Sequence, residues 1–368
     1  MTSDLDDVHS RPVLFEATSL SHPRTGIGNY TAELAKALRA SGRPVVALLW
    51  PTDDAGVATQ DLTDVGVEVR RPRLLAAEAY WAAARLARPP RFERIAGRAR
   101  AVVFPNYRRF PTAAPALTTI HDLTHILHPE CIEPGFRSRL AARSADAVAH
   151  SHLILADTHS VRGEILAAYR VEASRVVVVH AAATALPDPD PKARTIPGAI
   201  LAVGTLEPRK NLLRLIDAHA SLPERFRLDH PLVLIGRPSY RAAETLTRIA
   251  ADRCMVHIAS ASPAELSAWY ASARVLAQVS LYEGFGLPVV EALAAGLPVV
   301  VSDIPVLHEV TGGAALAYVD PYDCDSIAAG LCTNLSCSMD RDSLRLAAAR
   351  YSWPQSAASL ASAIDLIT

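Results

Sequence analysis

The chain has 368 residues, of which half are hydrophobic and one fifth are charged, and its formal net charge at pH 7 is −1. This length predicts two domains, and the high apolar content excludes a disordered chain. The near-neutral charge excludes a uniformly basic nucleic-acid-binding protein, and no apolar run approaches the roughly 18 residues of a membrane-spanning helix.

Short apolar, β-branched segments alternate with amphipathic helical segments along the first half of the chain, which is typical of parallel α/β sheets. The predicted strands of this half are Val13–Glu16, Val45–Leu49, Val67–Val69, Ala101–Phe104, Leu117–Ile120, Leu153–Ala156 and Val176–Val179. The helices predicted between them include Tyr30–Arg39, Phe136–His150 and Val161–Tyr169. We therefore predict a parallel-sheet domain over residues 1–186.

The polar, proline-rich segment Leu186–Pro191 follows, and neither a strand nor a helix interior tolerates such prolines. The strands predicted after it are Ala199–Val203, Leu232–Ile235, Met255–Ile258, Val275–Val279 and Val299–Val301. The helices predicted after it are Leu212–Ala220, Ala242–Ala251, Pro263–Ala271, Pro288–Ala295, Asp323–Leu331 and Gln355–Ile367. We therefore predict a linker over residues 187–198, a second α/β domain over residues 199–352 and a final helical segment over residues 353–368.

Five cysteines are scattered through the sequence without a C-x-x-C pair, at Cys131, Cys254, Cys324, Cys332 and Cys337. Their odd number and wide spacing favour free thiols in a reducing compartment over a disulfide framework or a zinc site. The first ten residues contain three aspartates and neither the basic nor the apolar segment of a secretory signal. We therefore expect a cytoplasmic protein.

The strongest chemical motif is EGFGLPVVE, residues Glu283–Glu291, between a predicted strand and a predicted helix. Pro288 suits the start of a helix, so the free N–H groups near Gly286 favour an anion such as a diphosphate. Glu291, one turn into the helix, and Glu283, from the loop, are suited to accept hydrogen bonds from vicinal hydroxyls. A nucleotide sugar meets both requirements, although a capped helix with two solvated glutamates explains the motif equally well when it is considered alone.

A second motif, GTLEPRKN at residues 204–211, also lies between a predicted strand and a predicted helix. Arg209 offers a fork of donors and Lys210 a point charge, and together they match a diphosphate leaving group. Of the 37 basic residues 34 are arginines, so a lysine at position 210 favours a specific need for an ammonium group. Two solvated cations in a loop are the alternative.

The segment RTGIGNY, residues 24–30, opens the first predicted helix. It is superficially similar to a dinucleotide-binding fingerprint, but Thr31 stands where the third glycine belongs, and no acidic residue clearly closes a second strand. These departures disfavour a nicotinamide-dependent dehydrogenase. A flexible loop at Gly26, Ile27 and Gly28, where the backbone approaches a ligand or the opposing domain, fits better.

Three histidines, His121, His125 and His128, follow the fifth predicted strand. His121 stands at the carboxyl end of a parallel strand, where open α/β sheets bind their ligands. A metal cluster is one interpretation of the three imidazoles, but separate hydrogen-bonding groups are more common, and we expect no metal.

Two Asp-x-Asp pairs are a second possible signal for a divalent cation, since such pairs can bind a metal ion that holds a sugar nucleotide. Asp188 and Asp190 lie in the predicted linker, and Asp323 and Asp325 lie at a predicted helix start. We therefore interpret these carboxylates as capping groups.

Taken in order, these motifs resemble those of the retaining glycosyltransferases of family four, which have the GT-B fold, and the nearest likeness is to the mannosyltransferase-B-like group. The resemblance covers nearly the whole chain, through the segments GIGNYT from Gly26, TIHDL from Thr119, VGTLEPRKN from Val203, SLYEGFGLP from Ser280 and YSW from Tyr351. The pair Glu283 and Glu291 matches the two-glutamate spacing of that family. The resemblance implies two Rossmann-like domains facing across a cleft, with the helix at residues 353–368 returning to the N-terminal domain.

The resemblance also implies roles for individual residues. The donor nucleotide sugar would be bound by Gly204, Arg209, Lys210, Glu283, Phe285, Gly286, Leu287 and Glu291. Within this set, Arg209 and Lys210 would hold the diphosphate and Glu291 the ribose. His121 would line the donor sugar from the N-terminal domain, which makes His121, Glu283, Arg209 and Lys210 the expected catalytic set. The acceptor would be bordered by Gly26, Ile27 and Gly28.

Breaking the bond between a sugar and a diphosphate builds negative charge, which Arg209, Lys210 and a helix N-terminus can stabilise without a metal. The resemblance implies attack on the face from which the diphosphate leaves, with the leaving phosphate taking the proton of the acceptor. We therefore expect no cofactor. The expected donor is GDP-mannose, with UDP-glucose-type and deoxythymidine-diphosphate sugars as alternatives, and the expected acceptor is a glycan or a polyprenyl-diphosphate-linked glycan.

The segment 70–143 contains 14 arginines and five acidic residues, a local excess of nine positive charges. A solvated arginine-rich surface accounts for this excess as well as a function does. The functional interpretation is a basic face that meets a lipid-linked acceptor at the anionic inner face of the plasma membrane.

Two other functional classes share these features. A sugar-nucleotide epimerase on the same GT-B architecture would bind the same donor. A non-catalytic nucleotide-sugar-binding scaffold would have the same fold, but the complete set of Glu283, Glu291, Arg209 and Lys210 disfavours it.

Overall fold

The computed structural model describes residues 11–21, 25–50, 56–73, 79–80, 82–83, 90–333 and 340–368. Two compact units make up the chain. Unit 1 consists of Met1–Leu123, Ser138–Ala182 and Tyr351–Thr368, and unit 2 consists of Thr124–Arg137 and Ala183–Arg350. The segment 187–198 contains neither helix nor strand. Cys131, Cys254, Cys324 and Cys332 are free thiols, whereas Cys337 and the first ten residues lie outside the described residues.

Unit 1 is built on a seven-stranded sheet in which all neighbouring strands are parallel. Its strands are β1 (Val13–Glu16), β2 (Val45–Leu48), β3 (Glu68–Arg70), β4 (Ala101–Phe104), β5 (Ala116–Ile120), β6 (Leu153–Ala156) and β7 (Val176–Val178). Their spatial order is β3-β2-β1-β4-β5-β6-β7. This order reverses direction between β1 and β4, and open α/β sheets bind ligands at the carboxyl ends of the strands beside such a reversal.

Unit 2 is built on a six-stranded sheet, again with parallel neighbours. Its strands are β8 (Ile200–Val203), β9 (Leu232–Ile235), β10 (Met255–Ile258), β11 (Val275–Gln278), β12 (Val299–Ser302) and β13 (Ala317–Val319). The spatial order β10-β9-β8-β11-β12-β13 reverses between β8 and β11. Both sheets have the Rossmann-type order, which confirms the predicted α/β class with two parallel-sheet domains.

Helices surround both sheets, as the buried, apolar strands require. In chain order they are α1 (Gly26–Ala40), α2 (Gly56–Asp64), α3 (Glu93–Ala96), α4 (Thr124–Leu127), α5 (Pro134–His150), α6 (His159–Tyr169), α7 (Leu212–Ala220), α8 (Glu224–Asp229), α9 (Ala242–Ala250), α10 (Pro263–Ser272), α11 (Leu287–Ala294), α12 (Pro305–Thr311), α13 (Cys324–Thr333), α14 (Arg341–Ala348) and α15 (Trp353–Asp365). Among the described residues, no helix combines the length and the apolar character needed to cross a membrane.

The start of α1 corrects one prediction. Gly26, Ile27 and Gly28 form the first turn of this helix, so the prediction of a flexible loop there is wrong. The Asn29 N–H donates to Thr25 O (2.9 Å) and the Thr31 hydroxyl donates to Ile27 O (2.8 Å), which stabilises the turn. Gly28 is buried within this helix.

The final helix, α15, packs against α1 within unit 1. Its buried face includes Trp353, whose ring centroid lies 5.9 Å from that of Tyr30. At its end, Asp365 accepts hydrogen bonds from Arg43 (2.7 Å) and Arg100 (2.7 Å). These contacts place the last residues of the chain in the same unit as the first strand.

Candidate functional site

The loops that follow β8 and β11 meet at the carboxyl edge of the unit 2 sheet, on either side of the strand-order reversal. The Leu281 N–H donates to Arg209 O (2.9 Å), and the Asn211 amide donates to Val279 O (3.0 Å) and Pro321 O (2.6 Å). Asn211 has a φ of +57°, a left-handed conformation that asparagine adopts more easily than most residues. These bonds fix the short 3₁₀ turn Pro208–Lys210 beside the Glu283 loop.

Glu283 lies at the centre of this edge, with only 5% of its side chain exposed. Its Oε1 atom accepts hydrogen bonds from Lys210 Nζ (2.7 Å), Ser280 Oγ (2.7 Å) and Gln278 Nε2 (2.5 Å). Its Oε2 atom accepts one from Arg209 Nη1 (2.7 Å). A carboxylate offers about four acceptor positions, so a further donor, such as a sugar hydroxyl, would approach Glu283 through Oε2.

The electrostatics of this network favour an ionised Glu283. Burial by itself would raise the pKa of Glu283, but the charges of Lys210 and Arg209 and the hydrogen bonds from Lys210 and Ser280 outweigh it, so the pKa lies far below its ordinary value. The Arg209 guanidinium is held further by Glu207, which accepts from Nη2 (2.7 Å). Two cations are thus fixed in place before any anionic ligand is present.

The N-terminus of α11 lies in the same loop. Gly286 precedes the helix with a φ of +92°, and a Cβ atom there would lie 3.1 Å from Leu307 Cδ2. Pro288 occupies the first turn, as predicted, where its missing N–H costs no hydrogen bond. The N-terminal end of this helix dipole adds partial positive charge to that of Arg209 and Lys210.

Gly204 opens the same loop after β8 and lies against the Lys210 side chain. Its φ is +137°, in the region that favours glycine, and a Cβ atom there would lie 3.3 Å from Lys210 Cε. A larger residue at position 204 would therefore press on the stem of the lysine side chain.

Glu291 lies one turn into α11 and is partly buried, and it is bonded to a different partner from Glu283. The Tyr270 hydroxyl on α10 donates to Glu291 Oε2 (3.0 Å). Burial raises the pKa of Glu291 to about 7, and the hydrogen bond from Tyr270 opposes this rise only in part. The two glutamates of the motif therefore differ strongly in protonation, because one faces two cations and the other faces a phenol.

This difference predicts a pH-dependent contribution of Glu291 to stability. The folded chain keeps a proton on Glu291 up to about pH 7, whereas the unfolded chain releases it near its ordinary pKa of 4.5. The free energy of unfolding of the wild type should therefore fall as the pH rises from about 4.5 to about 7. Glu291→Gln should lose less stability over this window, and Tyr270→Phe should lose more. Urea unfolding at both ends of the window measures the effect, and identical changes in the three proteins would contradict it.

His121 belongs to unit 1, where it follows β5. Its Nδ1 lies 2.7 Å from Asp157 Oδ2 and its Nε2 lies 2.9 Å from Pro105 O. The Tyr30 ring, from α1, meets the imidazole edge-on, with 4.9 Å between ring centroids. Burial would lower the pKa of His121, but the charge and hydrogen bond of Asp157 raise it above its ordinary value.

Three of the other candidate cation ligands from the sequence, His128, Asp190 and Asp323, have local partners. His128 stacks on Tyr282, with 5.3 Å between ring centroids, and lies 3.3 Å from Glu130. Asp190 accepts a hydrogen bond from the backbone N–H of Lys192. Asp323 accepts one from the Asp325 N–H (2.9 Å) at the start of α13, which confirms the capping interpretation of that pair.

Four residues of the site escaped the sequence analysis: Gln278, Ser280, Tyr270 and Asp157. Gln278 and Ser280 are buried polar residues at the end of an apolar strand, a signal that could have identified them. Tyr270 and Asp157 gave no such signal, because their partners lie 21 and 36 positions away in the sequence.

Two family models match the chain. One, described as a glycosyl transferase 4-like domain, matches residues 25–182, and the other, described as glycosyl transferases group 1, matches residues 189–351. The O-antigen chain mannosyltransferase B of Escherichia coli is 29% identical over 352 residues, covering 88% of this chain and 90% of that protein. The O-antigen chain mannosyltransferase RfbU of Salmonella typhimurium is 30% identical over 210 residues, or 56% of each protein.

Solved structures with the same fold include a sucrose-phosphate synthase from Thermosynechococcus elongatus, with a TM-score of 0.67 and 18% identity, covering 97% of this chain and 96% of that chain. Anabaena HepE in complex with UDP and glucose also has a TM-score of 0.67, at 16% identity, covering 97% of this chain and 100% of that chain. At these identities the likeness shows the fold alone, which is GT-B. Since the two family models together account for most of the sequence, the chain belongs to glycosyltransferase family four and is a glycosyltransferase.

Proposed function

We propose that this glycosyltransferase transfers a mannosyl residue from GDP-mannose to a glycan or a lipid-linked glycan, with retention of configuration at the anomeric carbon. The observation that carries the proposal is the arrangement of Arg209 and Lys210 around Glu283, beside the N-terminus of α11. It holds two cationic side chains in place, each paired with a carboxylate, where a leaving diphosphate would gain negative charge. The choice of mannose is supported by the names of the relatives from Escherichia coli and Salmonella typhimurium.

In the proposed reaction, Lys210, Arg209 and the first N–H groups of α11 stabilise the departing diphosphate. Glu283 accepts a hydrogen bond from a hydroxyl of the donor sugar through Oε2, and Glu291 accepts one from a hydroxyl of the ribose. The leaving phosphate takes the proton of the attacking acceptor hydroxyl, so the protein needs neither a nucleophile nor a general base. The protein cations supply the charge that a metal would otherwise supply, and we propose that no cofactor takes part.

Donor choice is tested by thermal denaturation of the full chain with GDP-mannose, UDP-glucose and deoxythymidine-diphosphate glucose. GDP-mannose should raise the melting temperature in a concentration-dependent manner and by more than the other two, because a ligand that binds the folded state stabilises it. A larger rise in melting temperature with another nucleotide sugar would indicate that this other nucleotide sugar is the donor.

Transfer itself is tested by the release of free nucleotide. A transferase releases GDP in step with glycan product and slowly without acceptor, and the product should keep the anomeric configuration of the donor. Conversion of the donor to an isomeric nucleotide sugar without acceptor would instead favour an epimerase. Binding without either reaction would favour a non-catalytic scaffold.

We also propose that the acceptor is presented at an anionic membrane surface, to which the chain binds peripherally. An open hollow of about 1140 Å³ on unit 1 is lined by five arginines: Arg11, Arg91, Arg94, Arg98 and Arg100. The one acidic residue in its lining, Glu93, already accepts hydrogen bonds from the Ala113 and Ala114 N–H groups, each at 2.7 Å. Phosphate groups of lipids or of a polyprenyl-diphosphate acceptor would complement this charge.

Vesicle binding tests this surface. Vesicles containing anionic phospholipid should bind the chain, binding should weaken with added salt, and neutral vesicles should bind much less. The variant Arg91→Ala/Arg94→Ala/Arg98→Ala should lose most of this binding, whereas Arg248→Ala/Arg253→Ala, which removes two exposed arginines of unit 2, should keep it. Equal binding to anionic and neutral vesicles would contradict the proposal.

A further inference from the structure

Both ring nitrogens of His121 face hydrogen-bond acceptors. Nδ1 lies 2.7 Å from the Asp157 carboxylate, and Nε2 lies 2.9 Å from the carbonyl oxygen of Pro105. A carbonyl oxygen cannot donate, and neither can a carboxylate. With Asp157 ionised, the two contacts are both satisfied only when each nitrogen carries a proton, that is, when the ring is an imidazolium.

The environment of Asp157 leads to the same state by an independent route. Asp157 is 4% exposed, its Oδ2 bonds to His121, and its Oδ1 is buried without a hydrogen-bond partner among the described residues. A buried carboxylate that lacks other donors needs a counter-charge, and a neutral imidazole would not supply one. The groups that face the ring are Asp157 after β6, the neighbouring Asp122 and the Tyr30 ring from α1, and none of them is cationic.

We propose that Asp157 is a positioning residue that holds His121 as an imidazolium, and that this cation joins the loops after β4, β5 and β6 at the ligand-binding edge of the unit 1 sheet. The ring spans Pro105, at the end of β4, and Asp157, at the end of β6. If the ring lost one proton, a nitrogen lone pair would face an acceptor oxygen and repel it. The hydrogen bond to either the Pro105 loop or the Asp157 loop would then be lost.

This assignment changes what His121 contributes to the reaction, and in this respect it rests on the proposed function. Neither ring nitrogen is available to take a proton from an acceptor or to bond a hydroxyl of the donor sugar. His121 would then contribute indirectly, because it fixes the positions of the loops after β4, β5 and β6 and adds a positive charge there. Transfer activity should be lost at high pH, when the imidazolium loses its proton. The loss should appear as a fall in kcat more than as a change in the donor KM.

Protonation of His121 can be measured without any activity. NMR spectra of the full chain with ¹⁵N,¹³C-labelled histidine, assigned with His121→Gln, give the state of each ring nitrogen against pH. In the wild type, both nitrogens of His121 should carry protons at pH values above the ordinary histidine pKa of 6.5. A neutral ring at about pH 6.5 in the wild type would overturn the proposal, and this measurement needs no Asp157 variant to fold.

The variant Asp157→Asn keeps the shape and removes the charge. It should lower the titration midpoint of His121 by at least about one pH unit, whereas Asp122→Asn, a matched change next to the ring, should shift it less. In transfer assays Asp157→Asn should lower kcat about 10-fold or more and move the alkaline limb of the pH profile to lower pH, as expected when an imidazole loses the carboxylate that orients it. An unchanged midpoint would contradict the positioning role, and an absence of mannosyl transfer in the wild type would affect only the proposed function.

Discussion

Glu283→Gln is expected to abolish most of the transfer activity and to lower the free energy of unfolding by about 3–5 kcal/mol, the usual cost of removing one partner of a buried ion pair. The carboxylate faces four donors, from Lys210, Arg209, Gln278 and Ser280. In the variant Lys210 loses its counter-charge, Arg209 keeps only that of Glu207, and an amide N–H₂ group either faces other donors or displaces one of them. Urea unfolding and nucleotide release measure the two effects.

The contribution of Glu283 to the free energy of unfolding should depend on pH. Because the folded-state pKa of Glu283 lies far below its ordinary value of 4.5, the stabilisation is complete above that pH and is lost as the pH falls below it. The stability difference between wild type and Glu283→Gln should therefore shrink in acid.

Binding of GDP alone separates the two roles of Glu283. The cations released in the variant remain free to bind a diphosphate, so the affinity for GDP should be retained while turnover is lost. Glu207→Gln is the matched control, because the Glu207 carboxylate contacts the same arginine but is more exposed, whereas the Lys210 ammonium pairs with Glu283. A Glu283→Gln protein as stable and as active as the Glu207→Gln protein would contradict the role of the buried network.

Lys210→Met should reduce turnover by about 10²–10³-fold, the range found when one group that stabilises a developing negative charge is removed. Methionine keeps the length and apolar stem of lysine, so the substitution isolates the ammonium charge. The loss of stability should be smaller than in Glu283→Gln, since Glu283 would still accept hydrogen bonds from Arg209, Gln278 and Ser280. Affinity for GDP should fall together with turnover, the opposite of the result expected for Glu283→Gln.

The double variant Lys210→Met/Glu283→Gln tests whether the two residues act together. Residues joined by a 2.7 Å ion pair should not give additive effects, and the double variant should be more stable than the sum of the single changes implies. The control is Lys36→Met combined with Glu283→Gln, because Lys36 pairs with Glu33 on the surface of α1. The effects of these two changes should be additive. Strict additivity between Lys210 and Glu283 would contradict the coupling.

The alternation of apolar strands and amphipathic helices was sufficient to predict most of the fold. The limits of β1, β4, β6 and β9 agree with their predicted ranges, because these strands are buried on both faces and read as short apolar runs. β13 was missed, since it has only three residues, two of them only partly buried, and lies shortly after Gly312 and Gly313. The start of α1 was misplaced because glycines were taken as a sign of a loop, whereas Gly26 and Gly28 lie in the first turn of a helix.

The site was predictable to the extent that it depends on strand ends. Arg209, Lys210 and Glu283 follow strands that are neighbours only through the crossover order of the sheet, and their motifs pointed to a common ligand before their contacts were known. Their roles toward a donor stay predictions. The contacts of Glu291 with Tyr270 and of His121 with Asp157 could not be inferred, because they depend on how α10 packs on α11 and on the order of β5 and β6.

The return of α15 to unit 1 has a consequence for synthesis on the ribosome. The surface of α1 that α15 covers is made early, but its partner lies more than 300 positions further along the chain. All of unit 2 is translated in between and can complete its own sheet. During this time Tyr30 and its neighbours on α1 lack their contact with Trp353. The first unit to begin is therefore the last to be finished, and a nascent chain halted before residue 353 presents an uncovered apolar surface to chaperones.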